Sequence, residues 1–548
     1  MLHRRQFTLW LVGVSLTACQ GPPPAGPPAL VCTADNTTQL SLAVGAYEPV
    51  NRPCVAVGAN GSATDSTEYL VVAQSAADSP GVYSAFQLQG SALGPSSMMA
   101  QWRAGSGARA PVAVQFDHFL RDVARRPRGA AAMRPSASAL ARPLASPPAV
   151  GSSRSFEVCA KLDCSAFATI TANAAVVTGH VAIYVDPGDV ASGYSLDSAA
   201  LDSLGQTFDQ HVYAGDTAAF GRESDVDGNG VVVLLMTHVV NKLVSADSCK
   251  TFGYVAGFFF PGDIEPGYTF THTTGEIMYT VVPDSQGILS CPHTSAKVER
   301  VLPPVLAHEL EHMINYNQHV LVLGATQPEQ TWLDEALAKH AEELAGRTFL
   351  PGDSATFYSY TRGELIDAYM YLESPETHYL VTPTDQNLGD VGAGWLFLRY
   401  VFDQFGDSLS RRLVETTSYG AQNVSAQTGY SFPLLVGQWA LANWVSDLPG
   451  FTPPQKLQYS SWRFRSTFAS EHAQDDTIFV VPFPLVPHVT MNANVNLNLS
   501  GVLKGGSGIY VRCLQPPGGS SFTLVFDAPG PRALAPVVAP QLDIIRIR

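Results

Sequence analysis

Apolar residues recur along this chain with two different periods, and the change of period divides it. Between residues 30 and 100 the apolar runs are short (Gln39–Val44, Glu68–Ala73, Tyr83–Leu88) and separated by Gly, Asn, Asp and Ser clusters. That spacing predicts strands joined by turns. Residues 103–155 lose the pattern and become rich in Arg, Ala, Pro and Ser. Only Gln115–Arg125 reads as helical there, and the remainder reads as a linker or removable spacer. From Phe156 to about Phe468 the chain is globular again. Val305, Leu306, Leu310, Met313 and Ile314 share a helical face, and Pro303–Pro304 suit the first positions of that helix. A second helix is predicted over Thr331–Leu344, striped by Trp332, Leu333, Ala336, Leu337, Ala341 and Leu344, with Thr331 and Asp334 as a capping box. Strands return beyond 468: Met491–Leu499 alternates with Asn in period two, and Gly508–Cys513, Ser521–Phe526 and Leu542–Arg548 follow. The expected order is a targeting segment (1–19), an N-terminal β-domain (20–102), a linker or pro-segment (103–155), a large mixed domain (156–468) and a C-terminal β-domain (469–548).

Composition narrows the class. The 548 residues are 46% hydrophobic and 14% charged, with net charge −15. A disordered chain is excluded, and a nucleic-acid partner bound through a basic field is disfavoured. No apolar run reaches the ~18–20 residues of a membrane-spanning helix. Residues 1–6 are basic and 7–18 apolar but short, which describes a secretory signal. Leu16-Thr17-Ala18-Cys19 resembles the bacterial lipobox, which implies a lipid on Cys19. Arg4-Arg5-Gln6-Phe7 resembles a twin-arginine export signal. An ordinary signal peptide with an incidental Cys19 is the alternative. The chain is expected to be an exported cell-envelope lipoprotein, or secreted. Seven further cysteines are expected to form the local bridges Cys32–Cys54, Cys159–Cys164 and Cys249–Cys291, leaving Cys513 free, as an oxidising compartment allows. Free buried thiols are the competing reading. Arg125-Arg126-Pro127-Arg128 is a candidate cleavage sequence, so removal of residues 20–155 stays open.

The chemistry is concentrated in His308-Glu309-Leu310-Glu311-His312. Two histidines four residues apart lie on one face of a helix and reach one cation together. Tetrahedral preference points to Zn²⁺. Glu309, one residue on, suits a base acting on a metal-bound water. A catalytic zinc needs a third protein ligand, and Glu335, at the start of the next helix, is the choice, with Asp334, Glu342 and Glu343 as alternatives. A third histidine fits poorly, because position 315 is Asn and 318 is Gln.

HELEHMINYNQH followed by TWLDEALAKHAEE resembles the gluzincin metallopeptidases, and among them the hyicolysin-type family. Further likeness lies in SDVDGNGVVVLL (224–235), AGFFFPGDI (256–264), GEIMYTVVPD (275–284) and GWLFLRYVFDQFG (394–406). The resemblance covers about 156–468. It implies an α+β zincin-like (thermolysin-like) core flanked by β-sandwich-like domains, with zinc on His308, His312 and Glu335 and Glu309 as catalytic base. The chain has Asp334-Glu335-Ala336 where the family more commonly has Asn-Glu-Gly. The implied activity is peptide-bond hydrolysis, probed by Glu309→Gln. Tyr369, Tyr371, His378 and Tyr379 are candidate oxyanion donors, and GEIMYTVVPD is either a substrate-pairing edge strand or an interior one.

Asp225-x-Asp227-x-Asn229-Gly230 matches the opening of an EF-hand-type calcium loop. The twelfth position is Met236 rather than Glu, so this is no EF-hand. The same residues make a tight turn without an ion, and both readings stand. A catalytically silent envelope-binding protein on the same fold is the alternative function. No G-x-S-x-G elbow supports a serine hydrolase.

Overall fold

The computed structural model describes residues 32–90, 111–125, 146–265, 268, 271–383, 387–491, 497–530 and 532–548. The targeting segment with Cys19, the sequence Arg126–Arg128 and residues 492–496 of the expected Met491–Leu499 strand lie outside them. Among the described residues the chain is mixed α/β with three sheets.

Two of these sheets face each other across a shared apolar core. One runs Thr37–Leu40, Cys54–Val57, Phe522–Asp527, Tyr83–Gly90, Asn498–Lys504 in spatial order. The other runs His488–Met491, Gly508–Gln515, Thr67–Ser75, Pro540–Arg546, Tyr47–Val50. Both sheets mix strands from the two ends of the sequence: Leu88 pairs with Leu499, and Val71 pairs with both Val511 and Ile544. The segments expected as two flanking β-domains therefore share one sandwich. Strand periodicity reports which face of a strand is buried and carries no information on its partner, so the pairing was not legible. Thr67–Ser75 is buried at every position. Its Tyr69, Val71 and Ala73 enter the sandwich core, while Leu70 and Val72 face the main core of the molecule. Burial on both faces explains the unbroken run Tyr69–Ala73 where a one-sided strand would alternate.

The third sheet, six-stranded, has the order Gly257–Phe259, Ile277–Thr280, Val232–Met236, Val181–Val185, Phe167–Val177, Ser153–Cys159. The three central strands are parallel to one another and buried throughout. The GEIMYTVVPD segment is interior; the edge is Gly257–Phe259, which runs antiparallel to Ile277–Thr280. Five long helices complete this body: Ser295–Asn315, Thr331–Arg347, Ser354–Glu373, Leu388–Phe405 and Phe432–Val445. Trp332, Trp395 and Trp439 are almost wholly buried among them. The last helix carries the sandwich: Gln438 Nε2 donates to Tyr47 Oη at 2.8 Å, and Tyr510 Oη donates to the Ala440 carbonyl at 2.9 Å.

Bridges Cys32–Cys54, Cys159–Cys164 and Cys249–Cys291 form as expected, and Cys513 is a buried free thiol. The helix read at 115–125 spans Val112–Ala124. It packs onto the large body rather than behaving as linker.

Candidate metal centre

The Ser295–Asn315 helix starts eight residues before Pro303, with Thr294 capping it by accepting a hydrogen bond from Lys297 N. Both prolines therefore lie inside the helix rather than at its first turn. Its last turns are buried, which places His308 and His312 inside the protein. The Thr331–Arg347 helix packs alongside. Its cap is Gln330, without a side-chain capping bond. The expected Thr331–Asp334 box is absent because Asp334 is drawn inward to other partners.

Three ligand-type side chains converge. His308 Nε2 and His312 Nε2 are 3.1 Å apart. Glu335 Oε2 lies 3.4 Å from the first, and Oε1 lies 3.6 Å from the second. Edges of about 3.3 Å are expected between ligand atoms placed tetrahedrally at zinc distances, so these spacings fit a zinc ion. Glu335 Oε1 has no hydrogen-bond donor although it is buried. Burial works to raise the Glu335 carboxyl, but His312, His308 and Arg121 outweigh it and hold it well below the usual range.

The opposite ring nitrogens are tied to acids. His308 Nδ1 meets Glu342 Oε1 at 2.8 Å, and His312 Nδ1 meets Asp334 Oδ2 at 3.2 Å. Each carboxylate favours a proton on Nδ1, which turns the Nε2 lone pair toward the shared centre. Asp334 and Glu342, weighed from sequence as ligands, thus take up the far side of each imidazole. Burial would raise Glu342, yet Lys339 and His308 bring it down to about 2; Lys339 Nζ donates to it at 2.9 Å. Glu343 turns away, accepting from Arg347, Trp395 and Trp462.

Glu309 is buried, and its Oε2 accepts from the Phe259 backbone N–H at 2.9 Å. That bond needs the edge strand to lie hard against the helix. A Cβ at Gly257 would meet Val305 Cγ1 and Thr280 Cγ2 at 3.0 Å, so glycine permits the approach.

The four residues expected as oxyanion donors have the following neighbours. Tyr369 Oη lies between the backbone N–H and carbonyl of Val481. Tyr371 stacks on Trp439. His378 Nδ1 and the Tyr379 N–H both face Asp390 Oδ1.

Two charged residues absent from the sequence assignment act on the centre from outside it. Arg121 Nη1 pairs with Asp334 at 3.5 Å, and Asp117 lies close enough to Glu335, Glu309 and His308 to feel each charge. Burial, then Glu335 and Glu309, push the Asp117 carboxyl well above its ordinary range. Both belong to the Val112–Ala124 helix. The signal available was the spacing of Phe116, Leu120 and Val123 with Asp117 and Arg121 one turn apart.

A second cluster joins Asp225 and Asp227 with Glu276. Beside it, Asn229 Oδ1 accepts from Val231 N and the Asn229 amide donates to Asp227. Arg154 Nη1 pairs with Asp227 at 3.0 Å. Glu276 Oε1 accepts from Ser224 and Val226, and burial leads the causes that push its carboxyl up to about 7.

No protein-family model matches the chain. Over 156 residues it is 30% identical to the neutral metalloprotease ShpI of Staphylococcus hyicus. The match takes in 28% of this chain and 33% of that protein, so the chain spans about a third of the length of its relative. The likeness relates part of the chain to a metallopeptidase. Among the described residues no helix is long and apolar enough to cross a membrane.

Proposed function

We propose that this protein is a zinc-dependent peptidase of the gluzincin type, acting on proteins or peptides outside the cytoplasm. The observation that carries the reading is the convergence of His308 Nε2, His312 Nε2 and the Glu335 carboxylate within 3.1–3.6 Å, with the far side of each imidazole on an acid. His308, His312 and Glu335 would hold the ion. When bound, zinc brings the pKa of a coordinated water toward neutrality and polarises the scissile carbonyl. Glu309 accepts the proton of the attacking water and returns it to the leaving amine. The Phe259 N–H aims that carboxylate. Asp334 and Glu342 keep both imidazoles in the tautomer that leaves Nε2 free. The Gly257–Phe259 edge offers backbone groups to an extended substrate.

The three disulfides suit an oxidising compartment, and a lipid on Cys19 would tie the protein to the cell envelope. Endopeptidase action is the favoured form. Calcium at Asp225, Asp227 and Glu276 is a weaker proposal, since Arg154 already balances Asp227. In the test, Glu309→Gln retains one zinc per chain and loses about 10²–10⁴-fold in hydrolysis of a generic protein substrate. A wild-type chain that holds zinc but cleaves nothing would instead favour the silent binding role.

A further inference from the structure

Each imidazole of the proposed zinc site is backed by an acid, and each acid is backed by a cation. Behind His308 stands Glu342 Oε1 at 2.8 Å, and Lys339 Nζ lies 2.9 Å from that same oxygen. Behind His312 stands Asp334 Oδ2 at 3.2 Å, and Arg121 Nη1 lies 3.5 Å from that same oxygen. Lys339 is a neighbour of Glu342 on its own helix. Arg121 arrives from a distant part of the chain, on the Val112–Ala124 helix.

That helix is seated by other means. Phe116, Leu120 and Val123 are buried, and Phe116 packs edge-on against Phe258 at 5.1 Å. Just past its end, Arg125 Nη2 donates to the Glu329 carbonyl at 2.9 Å. Arg121 is no backbone staple of that kind. Its side chain is 5% exposed, and its Nε and Nη2 are buried without a hydrogen-bond partner. A guanidinium buried with open donors is destabilising in itself. What Arg121 contributes is charge, delivered to Asp334.

The need for that charge is greatest when no metal is present. Asp334 adjoins Glu335 in sequence, and the buried Glu311 Oε2 lies 3.6 Å from the same His312 Nδ1. Asp334, Glu335 and Glu342 then crowd two imidazoles, with Arg121 and Lys339 as the cations paired to the outer two acids. A bound dication takes over part of this balance.

We propose that Arg121 is a positioning residue of the metal-free centre, holding Asp334 behind His312 so that the site stands preformed. The Val112–Ala124 helix is thereby a retained part of the site, although it comes from the stretch read as linker or pro-segment. This rests on the zinc reading above. Without Arg121, Asp334 repels Glu335 and Glu311 in a buried space until an ion arrives. With zinc in place, the same carboxylate finds positive charge nearby, so the loss of Arg121 is felt less.

The test compares melting midpoints of the full chain with zinc and after chelation. Arg121→Met lowers the midpoint of the metal-free chain at least about 3 °C further than that of the loaded chain. Adding Asp334→Asn, which removes the pair as a unit, recovers most of the metal-free loss. Equal losses in the two states assign Arg121 to seating the helix and overturn the proposal. A double variant that melts as low as the single one overturns it too. If Arg121→Met folds in neither state, the double variant decides: its folding supports the proposal and its failure overturns it. None of these readings needs hydrolysis, so a chain that holds zinc and cleaves nothing tests the proposal equally. A wild-type chain that binds no zinc, with a midpoint zinc does not move, instead removes the zinc reading on which it rests.

Discussion

Two clusters in this protein each gather three ligand-type side chains, and they differ in how the protein itself satisfies them. At Asp225, Asp227 and Glu276, most carboxylate oxygens already have donors: Arg154, Gly230 N, Ser224, Val226 N and the Asn229 amide. Only Glu276 Oε2 is buried without one. At His308, His312 and Glu335 the arrangement is reversed. Donors and acids are spent on the outer atoms, while the inner nitrogens and carboxylate face one another at 3.1–3.6 Å. Charge left facing inward is what a bound cation uses.

The sharpest test of that contrast is ligand removal. His312→Ala should abolish stoichiometric zinc binding and lower stability by about 3–5 kcal/mol, because Asp334 and Glu335 lose their shared partner in a buried setting. Metal content by mass spectrometry and a melting curve read it, and an unchanged zinc content would erase the distinction. Next comes the outer layer. Glu342→Gln should weaken zinc binding by about 10–100-fold while leaving the ligands in place, measured by competition with a chelator. The acidic turn should respond far less. Calcium at about 1 mM should move the melting midpoint by under about 1 °C, since less than ~0.5 kcal/mol is at stake. A rise of several degrees in wild type would place the two clusters in one class. Arg154→Met, by freeing Asp227, should make the turn calcium-sensitive.

A separate effect concerns an acid buried with neither metal nor cation. Asp543 accepts from Gln74 and Gln541, and burial pushes it up to about 7. Folding therefore favours its protonated form. Between about pH 4 and 7 the folded state binds more protons than the unfolded one. Stability then falls as pH rises through that window, by up to ~1.4 kcal/mol per pH unit. Denaturant midpoints measured across it should fall less steeply in Asp543→Asn than in wild type, Glu276 and the other raised acids supplying the remainder.

Local features were legible in the sequence, and long-range ones were not. The two imidazoles and Glu335 were readable because one helix fixes the first pair by its own period, and an apolar stripe oriented the second helix. The three bridges were readable because their partners are near in sequence. The partnership of Tyr83–Gly90 with Asn498–Lys504 was hidden, because it joins residues over 400 positions apart. Helix Val112–Ala124 was recognised as helical but set aside with its Arg- and Pro-rich surroundings. Asp334 and Glu342 were noticed as acids, but their task depends on which imidazole nitrogen faces inward, and only the folded geometry fixes that. The interior position of Ile277–Thr280 followed from Gly257–Phe259, three residues too short to stand out as a strand.

The weaving of both chain ends through the same two sheets has a consequence for maturation. Scission of the backbone on either side of Val112–Ala124 would not part the molecule, because residues 37–90 stay clasped to 498–546 on both faces of the sandwich. Two such nicks would leave the Val112–Ala124 helix as a separate peptide, seated on the body by its buried Phe116, Leu120 and Val123. Residues 37–90 would stay in place through strand pairing, the shared sandwich core and the bond from Gln438 to Tyr47.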